Sequence, residues 1–555
     1  MSGVLLPLAL AVLGHQGASA GSGAAPDDSG AGWRLVELDL VVTVVPEEER
    51  FGLEGTARLR LEDFAASRGP TLGVNQGQSV MRFLEVRADG AEVRTNEKFA
   101  LAPGTLLAHL RYPEPFARGA ELEVSFLLES EDRAGQLAVE SGVAYGSWVT
   151  AWYPIPLPAR LDGFSSALLA APGTTRFELP RGWHAVSNGR LVSEEASEHG
   201  TSALWRLGEP VARSFAAGPY EAAVFRAGER DVRVYLLSPK PESAAAQAET
   251  LARAIAAMEV RFGPYPYSGF AIAEVSDDSA PWYASSEQGF ILAQSGAFDV
   301  RGGNVPLFAH EAAHAWWGNL VAETGAGGLL CSESLAQYGA VLAIEALEGD
   351  PAATEFLRFS RAGYNSNQCA RGYFEMLRAG SDVPLARLTG GTVQHDLSDA
   401  KGHWVYHMLR RQVGDGLFFD TLRKLLGEFA GRAMSLDDVR AAFLAAAPAE
   451  AELERFFADW LDRAGAPVLG VAWSAVTKGG AHEVELTVRQ EGEPYRLLLE
   501  VLVDSPAGER LKTIVVDGAE CVTRLAAAGP PTAVLVDPHH RLLIWDEAYG
   551  ARPAR

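Results

Sequence analysis

The sequence predicts a multidomain protein with an N-terminal antiparallel β domain of the saddle or sandwich type, an α+β middle domain and a C-terminal β-sandwich. Its 555 residues exceed what one hydrophobic core accommodates, so about two to four domains are expected. Apolar residues recur at every second position near both ends of the chain and at helical spacing in the middle. A composition of 48% hydrophobic and 21% charged residues is that of a globular protein.

The first β domain is expected at residues 33–222. Here short alternating runs such as RLVELDLVVTVV and ELEVSFLLES are separated by Gly, Pro and Asn residues. Successive side chains of a strand point to opposite faces, so this alternation indicates strands with one buried face. The small, polar stretch GSGAAPDDSGAG before them, residues 21–32, predicts a flexible lead-in.

The middle domain is expected at residues 223–462 and is mostly helical. Leu251, Ile255, Met258 and Phe262 recur at the spacing of one helix face. The apolar pieces FAIAEV and GFILA that follow predict strands of a small sheet.

The C-terminal domain is expected at residues 463–548. The period-two pattern returns there in HEVELTVRQ, YRLLLEVLVD and TAVLVD. Short alternating strands of this kind predict a small β-sandwich.

The first residues, 1–20, are predicted to form a signal peptide. An apolar run, VLLPLALAVL, is followed by ASA, the small-x-small pattern of a cleavage site. Because no Lys or Arg precedes the run, an N-terminal tail without this role is the alternative. The run is shorter than the roughly 20 residues that span a bilayer, and no later segment is long enough. We therefore expect a periplasmic or secreted protein without a transmembrane segment.

Charge and cysteine content exclude several classes of function. A net charge of -23, from 48 basic and 71 acidic residues, leaves no basic surface for phosphate backbones, so nucleic acid is not an expected partner. The three cysteines form no CxxC pair and are too few for a disulfide framework. One bridge between Cys331 and Cys369 and buried free thiols are the alternatives.

The stretch FAHEAAHAWWGN, residues 308–319, predicts a metal-binding helix. On a helix His310 and His314 lie about 40° apart on one face, so both imidazoles can reach one ion. Zinc accepts histidine nitrogen, and a catalytic zinc site has three protein ligands and one open position. Glu311 lies beside this face, where a base for zinc-bound water is needed. An amphipathic helix that carries two histidines by chance is the alternative.

The predicted helix has signals at both ends. Asn304 is a candidate N-cap and Pro306 is tolerated in the first turn. Gly318 is the expected C-terminal stop, which gives about three turns.

Glu333 is the candidate third ligand. It opens an apolar-faced helix nineteen residues after His314, which gives the pattern His-Glu-x-x-His, eighteen residues, Glu. Together with the tail AWWGN, this pattern resembles the aminopeptidase N family of gluzincin zinc metallopeptidases. The resemblance extends to RFGPYPYSGFAIAEV before the motif and to KGHWVYHML after it.

The resemblance implies an N-terminal saddle-like β domain, a thermolysin-like catalytic domain and a C-terminal β-sandwich. It implies one zinc ion per chain, held by His310, His314 and Glu333. It also implies a hydrolase that cleaves peptide bonds, those of N-terminal residues in particular, through zinc-bound water activated by Glu311.

The segment YASSEQGFI departs from the family pattern Gly-x-Met-Glu-Asn, whose Glu binds the α-amine of the substrate. Glu287 takes that role when the comparison is anchored on the acid, and Ser286 when it is anchored on the residues that follow. A surface carboxylate is the alternative for Glu287. A second amine-binding Gln or Glu of the family has no match in YGSWVTAWYPIPLP, so the choice between exopeptidase and endopeptidase stays open.

Asp399 stands where the family has a tyrosine that donates a hydrogen bond to the oxyanion. An ionised carboxylate only accepts hydrogen bonds, and it repels developing negative charge. His395, His403 and Tyr406 lie nearby in the sequence as substitute donors, with core packing as the alternative for Tyr406 and a solvated or capping role for His395.

We therefore expect an exported zinc metallopeptidase with a peptide substrate. The alternative is a zinc-stabilised relative that binds peptides or proteins but turns them over poorly, because of Asp399. Hydrolysis of a non-peptide substrate is a third and weaker possibility.

Overall fold

The computed structural model describes residues 32–46, 50–75, 78–94, 96–102, 105–130, 142–147, 152–156, 170–227, 230–238, 240–276 and 283–553. The predicted signal peptide lies outside these residues, and so does the lead-in apart from Gly32. The chain divides into two compact units. Unit 1 holds the described residues up to Ala256, together with Pro264–Ala322 and Gly431–Ala433, and unit 2 holds Ala257–Gly263, Glu323–Ala430 and the residues from Met434 onward.

The N-terminal part of unit 1 is built from strands. They are β1 (Trp33–Val45), β2 (Arg50–Leu61), β3 (Ala66–Ser67), β4 (Thr71–Asn75), β5 (Gln78–Ala88), β6 (Ala91–Glu92), β7 (Asn96–Ala102), β8 (Thr105–Arg111), β9 (Phe116–Ala117), β10 (Glu121–Ser130), β11 (Ala144–Gly146), β12 (Ile155–Pro156), β13 (Ala171–Leu179), β14 (His184–Ser187), β15 (Arg190–Ala196), β16 (Thr201–Val211) and β17 (Phe215–Gly218).

These strands form an eight-stranded sheet in the order β15-β16-β13-β1-β2-β10-β5-β6, and smaller sheets β12-β4-β8-β7, β11-β17-β14 and β3-β9. The pairs of the large sheet are antiparallel except β1 with β13, where Leu40 pairs with Thr175 in parallel. Along β1 the apolar side chains of Leu38, Leu40, Val42 and Val44 are buried at every second position. The alternation in the sequence thus produces one buried face, and the predicted β domain is confirmed.

A second, mixed sheet of unit 1 follows in the chain. Its strands are β18 (Glu221–Ala227), β19 (Arg230–Leu236), β20 (Ala271–Val275), β21 (Ala284–Ser286) and β22 (Phe290–Gln294), in the order β18-β19-β20-β22-β21. Strands β19, β20 and β22 are parallel, whereas β21 is antiparallel to β22 and lies at the edge of the sheet. Every residue of β20 is buried, as expected for a continuous apolar run inside a parallel sheet.

Helices dominate from residue 241 to residue 460. They are α1 (Pro241–Phe262), α2 (Val305–Ala313), α3 (Glu333–Glu348), α4 (Asp350–Phe359), α5 (Ala370–Arg378), α6 (Thr392–Leu397), α7 (His403–Val413), α8 (Asp415–Phe429), α9 (Leu436–Ala446) and α10 (Leu453–Trp460). Short strands β23 (Ala322–Thr324) and β24 (Ala433–Ser435), the π-helical segment Ser398–Gly402 and the 3₁₀ turns Ser295–Asp299, Gly328–Leu330, Leu385–Arg387 and Ala449–Ala451 lie between them.

An ion-pair network centred on the buried side chain of Arg410 joins three helices of unit 2. The guanidinium of Arg410 in α7 donates to both carboxylate oxygens of Glu345 in α3, at 2.7 and 3.0 Å, and to both of Asp415 in α8, at 2.9 and 2.8 Å. Bidentate pairs of this kind fix orientation as well as distance. Helix α7 is therefore held in register against α3, which begins at Glu333.

The C-terminal part of unit 2 consists of two three-stranded antiparallel sheets. The strands are β25 (Leu469–Lys478), β26 (Ala481–Gln490), β27 (Arg496–Asp504), β28 (Arg510–Asp517), β29 (Glu520–Ala526) and β30 (Ala533–Val536), in the orders β25-β26-β29 and β28-β27-β30. A 3₁₀ turn, Glu547–Tyr549, follows them. The predicted multidomain fold with a C-terminal β-sandwich is thereby confirmed.

Two further sequence-based expectations concern cysteines and membrane spans. Cys331 and Cys369 are buried free thiols, and Cys521 is also free. Within the described ranges, no helix combines the length and the apolar character that crossing a bilayer requires.

His407 lies in the core of unit 2 at 3% exposure. Its ring meets the rings of Trp404 and Tyr338 edge-on, with centroids 5.6 and 6.2 Å away. Burial in these surroundings lowers the pKa of His407 well below its usual value, and Arg411 adds to this effect. The native state therefore holds His407 neutral at pH values where the unfolded chain protonates it.

We expect this histidine to contribute to acid sensitivity. Below about pH 6.5 the unfolded chain takes up a proton at His407, whereas the folded protein keeps this side chain neutral. The free energy of unfolding should therefore fall as the pH drops, by about 1.4 kcal/mol between pH 7.5 and 5.5 from this residue. Urea unfolding at the two pH values measures this drop. In His407→Leu the free energy of unfolding should fall by about 1.4 kcal/mol less than in the wild type. Equal losses in the two proteins would contradict this assignment.

Candidate metal centre

Helix α2 carries the His-Glu-x-x-His motif in unit 1 and begins where the sequence predicts. It starts at Val305, and the side-chain oxygen of the N-cap Asn304 accepts a hydrogen bond from the backbone N–H of Leu307 at 3.4 Å. Pro306 lies in the first turn. Backbone N–H groups there have no acceptor within the helix, so the N–H that proline lacks is not needed.

The C-terminal end of the helix differs from the prediction. The α-helix ends at Ala313, with His314 as C-cap, and does not continue to Gly318. The N–H groups of Asn319 and Leu320 donate to carbonyl oxygens five residues back, those of His314 and Ala315, at 3.1 and 3.2 Å. The chain therefore leaves the helix through wide i→i+5 turns. His314 itself keeps helical dihedral angles, φ −57° and ψ −22°, so it stays one turn away from His310.

The two histidines face each other through the nitrogens that bind metals. Nε2 of His310 and Nε2 of His314 lie 3.1 Å apart, and the rings meet edge to face with centroids 4.8 Å apart. Two nitrogens at about 2.05 Å from one tetrahedral zinc ion lie about 3.3 Å apart. The separation in the structure therefore fits two ligands of one ion.

A backbone carbonyl orients His314. Its Nδ1–H donates to the carbonyl oxygen of Trp317 at 2.9 Å. A carbonyl only accepts, so the neutral ring carries its proton on Nδ1 and its lone pair on Nε2. This is the tautomer in which Nε2 binds a metal ion, and an outer contact of this kind is usual for ligand histidines.

Glu311 is 7% exposed and lines a small pocket of unit 1. Tyr265, Ser286, Gly289 and Phe290 are other residues in the pocket wall. The residue predicted to act as a base is thus largely shielded from solvent.

Glu287 is fully buried, so its interpretation as a surface carboxylate is wrong. Its oxygens accept hydrogen bonds from the hydroxyls of Ser147, Ser214 and Ser285 at 2.7, 2.6 and 2.7 Å. The sequence analysis missed these contacts, because Ser147 and Ser214 are 140 and 73 residues away in the sequence and nothing in the segment itself marks Ser285 as a partner. The carboxylate of Glu287 thus accepts hydrogen bonds from side chains of the protein itself. Ser286 is the residue of this segment that lines the pocket with Glu311.

Glu333 is the first residue of α3 in unit 2. The next residue, Ser334, donates its hydroxyl to the carbonyl oxygen of Ser398 at 2.7 Å. A Cβ atom at Gly402 would overlap that hydroxyl, so only glycine permits this approach. The start of α3 is therefore held against the π-helical segment Ser398–Gly402.

Asp399 lies in this π-helical segment and is fully buried. The side-chain amide of Gln368 donates to its Oδ2 at 2.5 Å. The imidazole of His395 lies between two carboxylates, with Nε2 3.1 Å from Glu333 Oε2 and Nδ1 3.5 Å from Asp399 Oδ2. His395 therefore pairs with two acidic groups, which was not expected, while 43% of its side chain stays accessible to solvent, in keeping with the solvated role that was expected.

Electrostatics at His395 follow from this placement. The negative charge of Glu333, with a further contribution from Asp399, outweighs burial and raises the pKa of His395 to about 11. A protonated imidazole at this position offsets negative charge on the two acidic side chains. Asp399 is thus placed beside a cationic residue, which the sequence analysis did not foresee.

The other two substitute donors are engaged elsewhere. The hydroxyl of Tyr406 donates to the carbonyl oxygen of Leu330 at 2.9 Å inside the core, and burial raises its pKa well above the usual value. This is the core-packing role weighed for Tyr406. Nδ1 of His403 contacts the backbone carbonyl oxygen of Asp399.

Comparisons with known proteins agree with this geometry. Residues 291–460 match the model of the peptidase family M1 domain. A similar solved structure is that of Legionella pneumophila aminopeptidase A in complex with aspartic acid, with a TM-score of 0.67 and 17% sequence identity. The match covers 93% of this chain but 60% of that one, so this chain spans less than two thirds of its length. At this identity the likeness shows the fold. The search of curated proteins gave no match.

The serine contacts of Glu287 lead to a prediction about stability. Glu287→Ala leaves two buried hydroxyls, those of Ser147 and Ser214, and the partly buried hydroxyl of Ser285 without this acceptor. We therefore expect the free energy of unfolding to fall by about 1–3 kcal/mol or more. Glu287→Gln keeps one acceptor oxygen and should lose less. Urea unfolding of the three proteins measures both differences.

The same variants test the alternative role as amine anchor. If Glu287 bound a substrate amine, Glu287→Gln would raise KM for peptides with a free N-terminus and leave N-acetylated peptides unaffected. We expect the ratio of the two KM values to stay as in the wild type.

Proposed function

Because the chain belongs to peptidase family M1 through its domain at residues 291–460, we propose that it is a zinc metallopeptidase that hydrolyses peptide bonds. His310, His314 and Glu333 are the proposed zinc ligands, and Glu311 is the proposed catalytic base. Two imidazole nitrogens and a carboxylate oxygen are the donor set of catalytic zinc in other peptidases.

The observation that carries this proposal is the pair of facing imidazoles. Their Nε2 atoms lie 3.1 Å apart, and the carbonyl oxygen of Trp317 holds the proton of His314 on the opposite side of its ring. A divalent ion between these two nitrogens accepts a lone pair from each of them.

Zinc, when bound, supplies a Lewis acid that polarises a carbonyl group and makes water more acidic. The residues of the chain supply the rest. Glu311, in its confined pocket, takes a proton from the attacking water and returns it to the amine that leaves. Ser286 and Phe290 line the same pocket as Glu311.

The proposed substrate is a peptide, and the proposed cleavage is that of N-terminal residues, which the name of the Legionella aminopeptidase suggests. The buried contacts of Glu287 argue against its carboxylate as the group that binds the substrate amine. We therefore propose that selection of a free N-terminus, where it occurs, does not depend on Glu287.

A specific observation favours a second candidate function, a peptide-binding relative with poor turnover. Asp399 replaces the tyrosine of the family and is fully buried, and an ionised carboxylate gives no hydrogen bond to an oxyanion. Loss of one such donor costs on the order of 100-fold to 1000-fold in rate. Binding of internally quenched peptides without zinc-dependent cleavage would favour this candidate.

Export is also part of the proposal. The apolar run and the ASA pattern within residues 1–20 support a cleaved signal peptide. N-terminal sequencing of the mature protein, purified from the periplasm or the medium, should then begin at Gly21.

The role of Glu311 is tested by Glu311→Gln. We expect kcat for cleavage of fluorogenic peptides to fall by at least about 100-fold, because the base is lost, while the metal content measured by elemental analysis stays that of the wild type. Glu249→Gln is the matched control, since Glu249 lies on the exposed surface of α1 with 68% of its side chain accessible. Unchanged kcat in Glu311→Gln would refute the assignment.

The proposed ligands are tested separately by His310→Ala. We expect this variant to lose the zinc ion of the His310–His314 pair and with it all peptide cleavage. Elemental analysis after gel filtration measures the metal, and thermal unfolding checks that the variant is folded. Cleavage at the wild-type rate by a folded variant would contradict a zinc-dependent reaction at this site.

A further inference from the structure

We propose that a cavity within unit 2 is a binding site for a free α-amino acid with an apolar side chain. The cavity has a volume of about 220 Å³, and residues of α7, α10 and β27 form most of its wall. Its described lining residues include none of the proposed zinc ligands. The inference therefore goes beyond the proposed function and does not depend on it.

Three arginines line the cavity. They are Arg411 from α7, Arg496 from the start of β27 and Arg541 from the segment after β30. Their side chains are 34%, 15% and 20% exposed, so they are partly shielded from solvent. Guanidinium groups bind carboxylates through short, charge-assisted hydrogen bonds. The cavity therefore offers a place for a ligand carboxylate.

The acidic residues beside these arginines do not use all of the donors of Arg541. Arg496 pairs with Glu452, whereas Asp350 is shared, with Oδ1 3.5 Å from Arg411 and Oδ2 2.8 Å from Arg541. Nη1 of Arg541 is buried and has no hydrogen-bond partner among the described residues. A buried donor without an acceptor costs free energy. A carboxylate that reaches this guanidinium removes that cost.

The positive charge of this region acts on His407, the neighbour of the lining residue Met408 in α7. Burial lowers the pKa of His407, and Arg411, Arg541 and Arg410 lower it further. Nearby positive charges disfavour a protonated imidazole, so this effect indicates positive potential beside the cavity. A negatively charged ligand group is attracted to such a place.

One acidic residue also lines the cavity. Glu500 in β27 is 24% exposed, and its Oε2 lies 2.7 Å from Nδ1 of His539. A carboxylate here repels phosphate and other dianions, but it attracts an ammonium group. Cations and an acid in one cavity match a ligand that carries both charges. A free amino acid is a small molecule of this kind.

Apolar side chains form much of the remaining wall. Met408, Phe456, Trp460 and Leu497 line the cavity and are buried, so they offer apolar surface to an aliphatic side chain. A cavity of about 150 Å³ holds benzene, and drug-sized ligands occupy about 300–1,000 Å³. A volume of about 220 Å³ therefore suits an amino acid of the size of leucine.

The competing explanation is that the arginines only join helices to the C-terminal part of unit 2. Arg541 makes such a link, because its Nη2 donates to Asp350 in α4 at 2.8 Å. That role requires no ligand. Binding measurements therefore separate the two explanations.

The experiment is isothermal titration calorimetry of the full-length, zinc-loaded protein with L-leucine. We expect a Kd of about 1 mM or lower. Arg541→Met and Glu500→Gln should each bind leucine at least about 10-fold more weakly, because each removes a charge that the ligand meets. Arg423→Met is the matched control, since Arg423 in α8 is 41% exposed and pairs with Asp420 outside the cavity. It should bind leucine as the wild type does.

Three other compounds test which groups of the ligand are recognised. N-acetyl-L-leucine lacks the ammonium group, L-leucinol lacks the carboxylate, and inorganic phosphate lacks the apolar part. Each should bind at least about 10-fold more weakly than leucine. The leucine titration is repeated with His310→Ala, which lacks the proposed zinc ion, and there the affinity should stay that of the wild type.

Each other outcome overturns the amino-acid site. Leucine that does not bind, or that binds Arg541→Met and Glu500→Gln as tightly as the wild type, refutes the cavity as its site. Equal affinity for N-acetyl-L-leucine or phosphate identifies a general anion site instead. Binding that is lost in His310→Ala belongs to the metal centre.

The variants also keep this test separate from that of the proposed function. None of these results changes the expected zinc content or peptide cleavage, which are measured independently. Thermal unfolding checks that each variant is folded. Glu500→Gln preserves the size of the side chain, so it keeps the proposal falsifiable if Arg541→Met fails to fold.

Discussion

The hydrogen bond from His314 Nδ1 to the carbonyl oxygen of Trp317 is the constraint on which the candidate centre depends. An imidazole offers one nitrogen to a metal only while the other keeps the proton. The wide turns after Ala313 bring the Trp317 carbonyl back to the ring that it orients, so the early end of α2 and the tautomer of His314 are linked. The tail AWWGN thus orients His314 through a backbone carbonyl.

In unit 2 the equivalent constraint is charge. Glu333 and Asp399 bring two carboxylates to one imidazole. Asp399 is fully buried, and a buried carboxylate persists only beside cations or strong donors. The Ser334–Ser398 contact and the glycine at 402 set the distance between the two acids. Burial in the core and the ion pairs of Arg410 then hold the helices that carry them. The packing of this part of the chain brings two acidic side chains close together, and a cation beside them offsets their negative charge.

The sequence predicts those parts of the structure whose signals are local. Strands β1 and β20 follow from alternation and from a continuous apolar run, and the start of α2 follows from Asn304 and Pro306. Glu287 could not be placed in this way, because its partners Ser147 and Ser214 are 140 and 73 residues away. The contacts of His395 could not be predicted either, because its position between two acids depends on how α3 packs against the segment after α6. The end of α2 was misplaced because i→i+5 turns leave no simple residue pattern.

The π-helical segment Ser398–Gly402 has one more consequence. A π turn accommodates an additional residue within an otherwise α-helical path, and each residue rotates the chain by about 100° around the axis. Shortening this segment by a single position would let an unbroken α-helix run from α6 into α7. His395 or His403 would then swing away from its present neighbours, although no side chain had been replaced. Residue count, and not identity alone, sets the direction in which these groups point.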